Sequence, residues 1–162
     1  SIESEPTEKH VKIHYGDIGY SYEEVFKEYL IGSKKITVQD PYIRANHQIS
    51  NLLKFAELLV NIGDCDTLHI ITASDDEEQE MQNSASFDQI ADSLHENGIL
   101  FTYEFSKTIH DRQIETSNGW RIVMGRGLDY FQSLSGNYMQ VGANDQALRP
   151  CLETSFDFLK AK

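Results

Sequence analysis

The sequence has little that would cross-link it covalently or hold it inside a membrane. Among its 162 residues only Cys65 and Cys151 are cysteines, and no C-x-x-C spacing occurs, which argues against a disulfide framework. The longest apolar runs, such as ELLV and LHIIT, are far shorter than the roughly 20 residues that span a bilayer. No basic-then-apolar leader opens the chain. We therefore expect reduced, structural thiols and a cytoplasmic location.

Basic charge is scarce as well. The chain carries 26 acidic and 14 basic side chains, for a net charge of −12, which argues against nucleic acid as a partner. The balance is uneven, because residues 1–106 have 20 acids and 7 bases whereas residues 107–162 have 6 acids and 7 bases. We expect any anion site in the last third, or where that third meets Arg44.

Motifs for metals and cofactors are missing too. The glycines of GRGLDYF flank Arg126 and permit close approach of the backbone, but the lysine and hydroxyl of a phosphate-binding loop are absent. The histidines stand scattered along the chain, without a cysteine partner or a pair on a predicted helix, at His10, His14, His47, His69, His95 and His110. The sequence therefore predicts no metal site and no cofactor.

What is present is the composition of one globular domain. Hydrophobic residues make up 40% and charged residues 25% of the chain, both close to globular averages. Residues 1–10 are charged and contain Pro6, so we predict a linker end there and a domain over residues 11–162. A chain of this length buries roughly two thirds of the surface that its unfolded form exposes.

Helical and strand patterns alternate along this domain. Ser21 is placed to cap a helix over YEEVFKEYL, Asn46–Ile62 has a wide apolar stripe that Gly63 ends, and FDQIADSLHENG is a third helix. The acid run SDDEEQE is typical of a solvated helix start or loop. Strands are predicted at KKITVQ, DTLHIIT and ILFTYEF. The alternation indicates an α/β fold with a mixed, mainly parallel sheet and helices on both faces.

The last third has a different pattern. Two strand-like runs flank Ser117-Asn118-Gly119, which predicts a hairpin added to the sheet. Residues 132–147 are predicted to form a loop. The segment LRPCLETSFDFLKA is predicted to close the fold, as a helix or an extended segment, and to pack its apolar residues on the body. These are Leu152, Phe156 and Leu159.

The segment IHDRQIETSNGW carries the sharpest chemical motif. Phosphodiesterases of the phospholipase D type use the pattern H-x-K-x-x-x-x-D, in which the histidine attacks phosphorus and the lysine holds phosphate oxygens. His110 fits the first position, but Arg112 replaces the lysine and Ser117 replaces the aspartate. Arginine still binds phosphate with two donors. We therefore interpret His110 as a relic of a nucleophile, Arg112 as a phosphate ligand and Asp111 as structural.

A second candidate cluster follows the first predicted strand, in DPYIR. Asp40 ends this strand and Pro41 prevents its continuation. One interpretation is structural: Asp40 pairs with Arg112 or Arg44, and Tyr42 supports the turn. The other is functional, and here four arginines gather around a pocket of phosphate size and bind phosphate or lipid. They are Arg44, Arg112, Arg121 and Arg126.

Five separated segments together resemble one known family. They are YEEVFKEYL, ITVQDPYIRANHQISNLLKFAELLV, SLHENGILFTYEFSKTIHDRQI, NGWRIVMGRGLDYFQ and LRPCLETSFD. In this order they are similar to the phospholipase D-like C-terminal domain of MIT domain-containing proteins associated with ESCRT-III, the MIT_C family. The resemblance runs from about Tyr20 to Phe158.

The resemblance implies a phospholipase D-like fold without paired catalytic motifs. It also implies homodimerisation and peripheral association with phospholipid membranes, phosphoinositides included, in the late steps of cytokinesis, at the endosome or midbody of a eukaryotic cell. In that family an N-terminal MIT helical bundle engages ESCRT-III, and no such segment precedes Val11. The expected partners are thus an anionic membrane, a second copy and, through an MIT domain, ESCRT-III.

Two alternatives remain open at this point. A phosphodiesterase or nuclease could combine two copies of His110 across a dimer. A protein-interaction domain of a bacterial multidomain protein is the other alternative, and no residue pattern identifies it.

Overall fold

The fold is built on one seven-stranded sheet. The computed structural model describes residues 5–161; the predicted linker end falls partly on residues 1–4, which lie outside this range. The elements are β1 (Lys9–Ile13), α1 (Tyr22–Leu30), β2 (Lys35–Gln39), α2 (Asn46–Ile62), β3 (Thr67–Thr72), α3 (Glu77–Glu96), β4 (Leu100–Phe105), β5 (Gln113–Thr116), β6 (Trp120–Met124), a 3₁₀ turn (Gln146–Leu148) and β7 (Thr154–Lys160). Strand β1 therefore begins at Lys9, within the residues predicted to form the linker end.

The helices begin and end at the predicted signals. The Ser21 hydroxyl accepts a hydrogen bond from the Glu24 amide at the start of α1, and Gly63 ends α2 in the left-handed conformation, with φ of 82°. Helix α3 is longer than predicted. Asp76 caps it and the acid run forms its first turn, where carboxylates interact favourably with the helix dipole.

The sheet is mixed, as predicted, but parallel pairing is confined to three strands. The order is β1-β7-β6-β5-β2-β3-β4. Strands β2, β3 and β4 pair in parallel, whereas β5, β6, β7 and β1 are joined by antiparallel pairings. The prediction of a mainly parallel sheet is corrected accordingly. Strand β5 of the hairpin pairs antiparallel with β2, and the pairings of β5 with β6, β6 with β7 and β7 with β1 are antiparallel as well.

All three helices lie on the same face of the sheet. In α1, Phe26 packs edge-on against Phe156 of β7 with ring centroids 5.6 Å apart, and Phe55 of α2 packs against Phe26. In α3, Phe87 lies 5.1 Å from Tyr103 of β4. The cross-strand registers place the buried strand residues on this one face. The prediction of helices on both faces is therefore wrong for residues 5–161.

The opposite side, called the open face below, consists of the outward-pointing strand residues. Two cross-strand rows define it: His10, Asp157, Val123, Gln113, Gln39, Ile71 and Glu104, and then Leu159, Arg121, Glu115, Thr37, His69 and Thr102. None of these residues is buried. These residues are mostly polar, which explains why no helix of residues 5–161 covers this face. A helix gains little free energy by packing on polar side chains.

The closing segment is extended rather than helical. Strand β7 inserts between β6 and β1, and Phe156 is fully buried as predicted. Leu159 instead points to the open face with 37% of its surface exposed, while Phe158 fills the core. The period of two in a strand assigns alternate residues to opposite faces, so Leu159 cannot share the core with Phe156 and Phe158.

Neighbouring residues of β7 should therefore differ sharply in their contribution to stability. Phe158 is fully buried and stacks on Tyr29 at 4.2 Å, so Phe158→Ala should lower the free energy of unfolding by about 3–5 kcal/mol. Leu159→Ala should lower it by less than about 1 kcal/mol. Urea denaturation of the two variants measures both values. Equal losses would contradict the assigned register of β7.

Candidate functional site

The candidate site forms at the carboxyl end of β2. The Asp40 amide donates to the Ile71 carbonyl at 2.9 Å, which continues the pairing with β3 one residue past the strand. Asp40 Oδ1 then accepts the Tyr42 amide at 2.9 Å and closes a tight turn around Pro41. The carboxyl end of a strand in a parallel region thus delivers Asp40 and Tyr42 together, as the sequence indicated.

Asp40 and Arg112 form a largely buried pair. Asp40 is 5% exposed, and Arg112 Nε lies 3.7 Å from Asp40 Oδ1. Burial raises the pKa of Asp40, while the Tyr42 amide and the charge of Arg112 oppose that rise. Desolvation of the carboxylate therefore affects this pKa more than the hydrogen bond and the positive charge that oppose it. Asp40 therefore serves mainly to hold the turn and Arg112, in agreement with the structural interpretation.

Tyr42 lies between two arginines. The Arg112 guanidinium carbon is 4.4 Å from the centre of the Tyr42 ring, and that of Arg44 is 5.4 Å away. Arg44 also donates from Nε to the Pro41 carbonyl at 3.0 Å and forms an ion pair with Asp75. The ring of Tyr42 is half exposed, so both cations stack on an aromatic surface that faces solvent.

The glycine after Arg126 brings a third segment to the pair. A Cβ at Gly127 would stand 2.2 Å from Asp40 Oδ2 and 3.3 Å from Arg112 Cδ, and its φ is +63°. Only glycine fits both the conformation and the contact. The neighbouring Arg126 is exposed, and its Nε points towards the Asp129 carbonyl at 3.4 Å. Among residues 5–161, no carboxylate forms an ion pair with Arg126.

Three residues of this site escaped the sequence analysis. Asp129 accepts from Asn51 Nδ2 at 3.3 Å, and its second oxygen lies 3.2 Å from His47 Nε2. His47 and Asn51 are four residues apart at the start of α2, and therefore on one face of the helix. That spacing was visible in the sequence. The proximity of Asp129, which is 78 residues away from Asn51, was not.

A small cavity lies between these groups. Asp40, Tyr42, Asn51, Arg112 and Asp129 are among its lining residues, and its volume is about 10 Å³, which is room for about one water molecule. The expected pocket of phosphate size is therefore absent at this point. A phosphate group would have to bind on the surface above it, against the exposed edges of the arginines.

The structure separates the remaining predicted residues from this cluster. His110 and Asp111 are exposed before β5, and the Asp111 carbonyl accepts from the Gln39 side chain. Ser117 lies at the far end of β5, where its hydroxyl accepts the amides of Lys34 and Lys35 at 3.1 and 2.9 Å. It therefore connects the hairpin to β2 and does not assist His110.

Arg121 also lies outside the cluster. It is on the open face, opposite Glu115, and its Nε donates to Gln113 Oε1 at 3.0 Å. The prediction that Arg121 lies with Arg112 and Arg126 is wrong, because the side chain of Arg121 lies on the open face of β6, away from the helices. The arginines that the structure brings around Tyr42 are Arg44 and Arg112, with Arg126 next to Gly127.

A histidine and a lysine with the intact H-x-K spacing, His10 and Lys12, stand in β1. His10 Nδ1 lies 2.6 Å from Asp157 Oδ1, and Lys12 Nζ lies 3.1 Å from Glu153 Oε1. All four side chains are exposed by two fifths or more. These are cross-strand surface pairs at the edge of the sheet, and they form no pocket with His110.

Within the described part of the chain, no group of three or more histidine, cysteine, aspartate or glutamate side chains could hold a metal ion. Residues 5–161 also include no helix with the length and apolar character needed to cross a bilayer.

Gly127 should be much less tolerant of a side chain than a glycine in open space. Gly98 also has a positive φ, of +80°, with nothing near its hypothetical Cβ, so Gly98→Ala should cost only the backbone penalty of about 1–2 kcal/mol. Gly127→Ala should cost roughly 1–3 kcal/mol more, because Asp40 and Arg112 must move. Chemical denaturation gives the comparison, and equal costs would contradict the close contact.

Comparison with known proteins identifies the family of this chain. The family described as the phospholipase D-like domain at the C-terminus of MIT matches residues 19–160. This range contains the Tyr42 cluster, by which we mean Tyr42 and the residues around it: Asp40, Arg44, Arg112 and Arg126. MIT domain-containing protein 1 of Mus musculus is 39% identical over 157 residues, which cover 95% of this chain and 62% of that relative. The resemblance seen in the sequence is confirmed: the chain belongs to the family of phospholipase D-like domains found at the C-terminus of MIT proteins.

Proposed function

We propose that this domain is a non-catalytic module that associates with anionic phospholipid membranes. The observation that carries the proposal is the arrangement of arginines around a half-exposed tyrosine: Arg112 and Arg44 contact the Tyr42 ring, and Arg126 lies next to Gly127 without an ion-pair partner among residues 5–161. Arginine binds phosphate oxygens with two donors, and tyrosine favours the membrane interface.

The shape of the site supports surface binding over turnover. The cavity beside Asp40 has room for about one water molecule, so a lipid headgroup would contact the site from outside. His110 is exposed, and Ser117 holds the start of β2 instead of supplying a carboxylate. A histidine nucleophile needs a positioned partner to orient it and take up its proton, and within residues 5–161 the His110 side chain has no hydrogen-bond or ion-pair partner.

A second copy of the chain is the other partner in this proposal. The open face carries Arg121 and Glu115 opposite each other in one cross-strand row, and charges of both signs on one patch allow the self-complementary contact of an isologous dimer. Val123 and Ile71 add apolar area to the neighbouring row. The helices of residues 5–161 leave this face uncovered, which supports homodimerisation as part of the proposal.

The proposed cellular setting rests on the resemblance to the family. The relative's name includes an MIT domain, and in the family that bundle engages ESCRT-III. We propose the same division of work here: an MIT domain would bind ESCRT-III in cytokinesis, and the present domain would bind the membrane peripherally at the endosome or midbody. The proposal concerns a protein longer than this chain, which spans 62% of that relative.

The arginine without a carboxylate partner should contribute most clearly to lipid binding. Arg126→Gln should weaken binding to vesicles of phosphatidylcholine with phosphatidylserine or phosphoinositide about fivefold, since an exposed arginine near an anionic membrane contributes about 1 kcal/mol. Lys34→Gln removes one positive charge just before β2, at the opposite end of that strand, where Lys34 is exposed, and is the matched control; we expect a change below about twofold. Co-sedimentation at low salt measures both.

Two results of that experiment would contradict the proposal. One is a wild-type domain that stays in the supernatant at low salt with anionic vesicles. The other is an equal loss in the two variants, which would mean that net charge alone, and not the Tyr42 cluster, determines binding.

Catalysis should be absent. With His110 unsupported, a chromogenic phosphodiester should show no turnover above the buffer rate over a range of protein concentrations, dimeric ones included. His110→Ala and His95→Ala, a second exposed histidine remote from the cluster, should both match wild type. Turnover that His110→Ala abolishes and His95→Ala retains would establish the phosphodiesterase instead.

A further inference from the structure

The loop that follows the candidate site is the longest stretch without charge in the chain. Residues 130–144 contain no aspartate, glutamate, lysine, arginine or histidine, although a quarter of the chain is charged. Three apolar side chains of this stretch project into solvent: Tyr138 is 69% exposed, Met139 96% and Val141 80%. We call these three residues, with the backbone between Gly136 and Gly142, the apolar loop tip.

The backbone of this loop satisfies several of its own hydrogen bonds. The Asn137 amide donates to the Leu134 carbonyl at 2.9 Å, and the Ala143 amide donates to the Gln140 carbonyl at 3.1 Å. The Met139 amide donates to the Asn137 side chain at 3.2 Å. An unpaired amide is the main cost when irregular backbone leaves water. The turns therefore reduce the cost of moving the apolar loop tip into a lipid interface.

The base of the loop is fixed to the domain. The Gln132 amide donates to the Pro150 carbonyl at 2.9 Å, and Arg149 donates to the carbonyls of Gly142 and Ala143. A Cβ at Gly142 would stand 2.7 Å from the Leu148 carbonyl oxygen, so the backbone at the end of the loop lies in close contact with Leu148. The side chains at the tip are thus presented by an anchored support.

We propose that the apolar loop tip inserts into the interfacial region of the membrane, with Tyr138, Met139 and Val141 as the inserting side chains. This proposal rests on the membrane association proposed above and adds a second contact to it, apolar and independent of headgroup charge. The arginines would contact phosphates while the tip contacts the glycerol and upper acyl region, an arrangement in which charge and apolar burial act together.

A lipid surface fits this tip better than a protein partner does. Tyr138 and Met139 do not contribute to the cavity at the base of the loop, which Val141 lines together with mostly polar residues, whereas protein hot spots are aromatic side chains in well-packed pockets. The stretch also offers no charge for pairing with a partner. Tyrosine and methionine tolerate the mixed polar and apolar interface of a bilayer.

Tryptophan fluorescence tests insertion directly. Trp120 is 7% exposed and forms a constant background, so Tyr138→Trp adds a reporter at the tip. Tyr15→Trp is the matched control, since Tyr15 is 71% exposed but lies between β1 and α1. With anionic vesicles that contain lipids brominated near the top of the acyl chain, residue 138 should shift to the blue and be quenched, and residue 15 should do neither.

Affinity supplies a second readout. Met139→Ser combined with Val141→Ser should weaken vesicle binding on the order of tenfold, because two apolar side chains lose their burial in the interface. Met81→Ser is the control: Met81 is 75% exposed but lies in the acidic first turns of α3, and its change should leave affinity within about twofold.

The outcomes separate this inference from the proposed function. If the domain binds vesicles but the emission of residue 138 neither shifts nor is quenched, insertion of the loop tip is overturned while membrane association stands. A protein partner would then be the remaining explanation for the exposed apolar side chains. Equal effects of the loop and Met81 variants would overturn insertion in the same way. If wild type does not bind vesicles at all, both proposals fail together.

Discussion

The aromatic layer between the sheet and α1 determines where the candidate site can lie. Tyr22 packs edge-on against Tyr130 and Phe55, and its hydroxyl donates to the Leu128 carbonyl, so the core reaches directly into the segment that follows Arg126. Burial raises the pKa of Tyr22 far above its ordinary range. This shift favours the protonated hydroxyl that donates to Leu128, one residue after Gly127.

The site then follows from how charge is distributed over that scaffold. Asp40 holds Arg112 and Asp75 holds Arg44, so both cations are fixed in orientation and partly neutralised. Arg126 forms no ion pair among residues 5–161, so in the proposed function it is the cation available to an external anion. A site of this kind combines two oriented arginines on an aromatic ring with one free arginine at the rim. Such an arrangement suits recognition of phosphate at a surface, where geometry and charge act through different residues.

Local signals in the sequence predicted the local parts of this structure well. Ser21 and Gly63 marked helix ends, Pro41 placed Asp40 at the end of β2, and Ser117-Asn118-Gly119 marked the hairpin, because each effect involves residues close in the chain. Pairings between distant residues were not accessible: His47 and Asn51 contact Asp129, and β1 pairs with β7, although these residues lie far apart in the chain and no local pattern connects them. The uncovered face was nevertheless visible in principle, since Thr37, Gln39 and His69 alternate with buried residues.

The acidic start of α3 has a consequence for how the molecule would approach a surface. Asp75, next to the Asp76 cap, joins this end of the helix to Arg44 and so to the Tyr42 cluster, which places Glu77, Glu78 and Glu80 near the arginines. An anionic plane repels carboxylates, and this repulsion weakens with added salt. In the proposed function these acids would therefore limit the tilt at which the arginines could reach a membrane. The same charges that fix Arg44 would then also set the orientation of the bound domain.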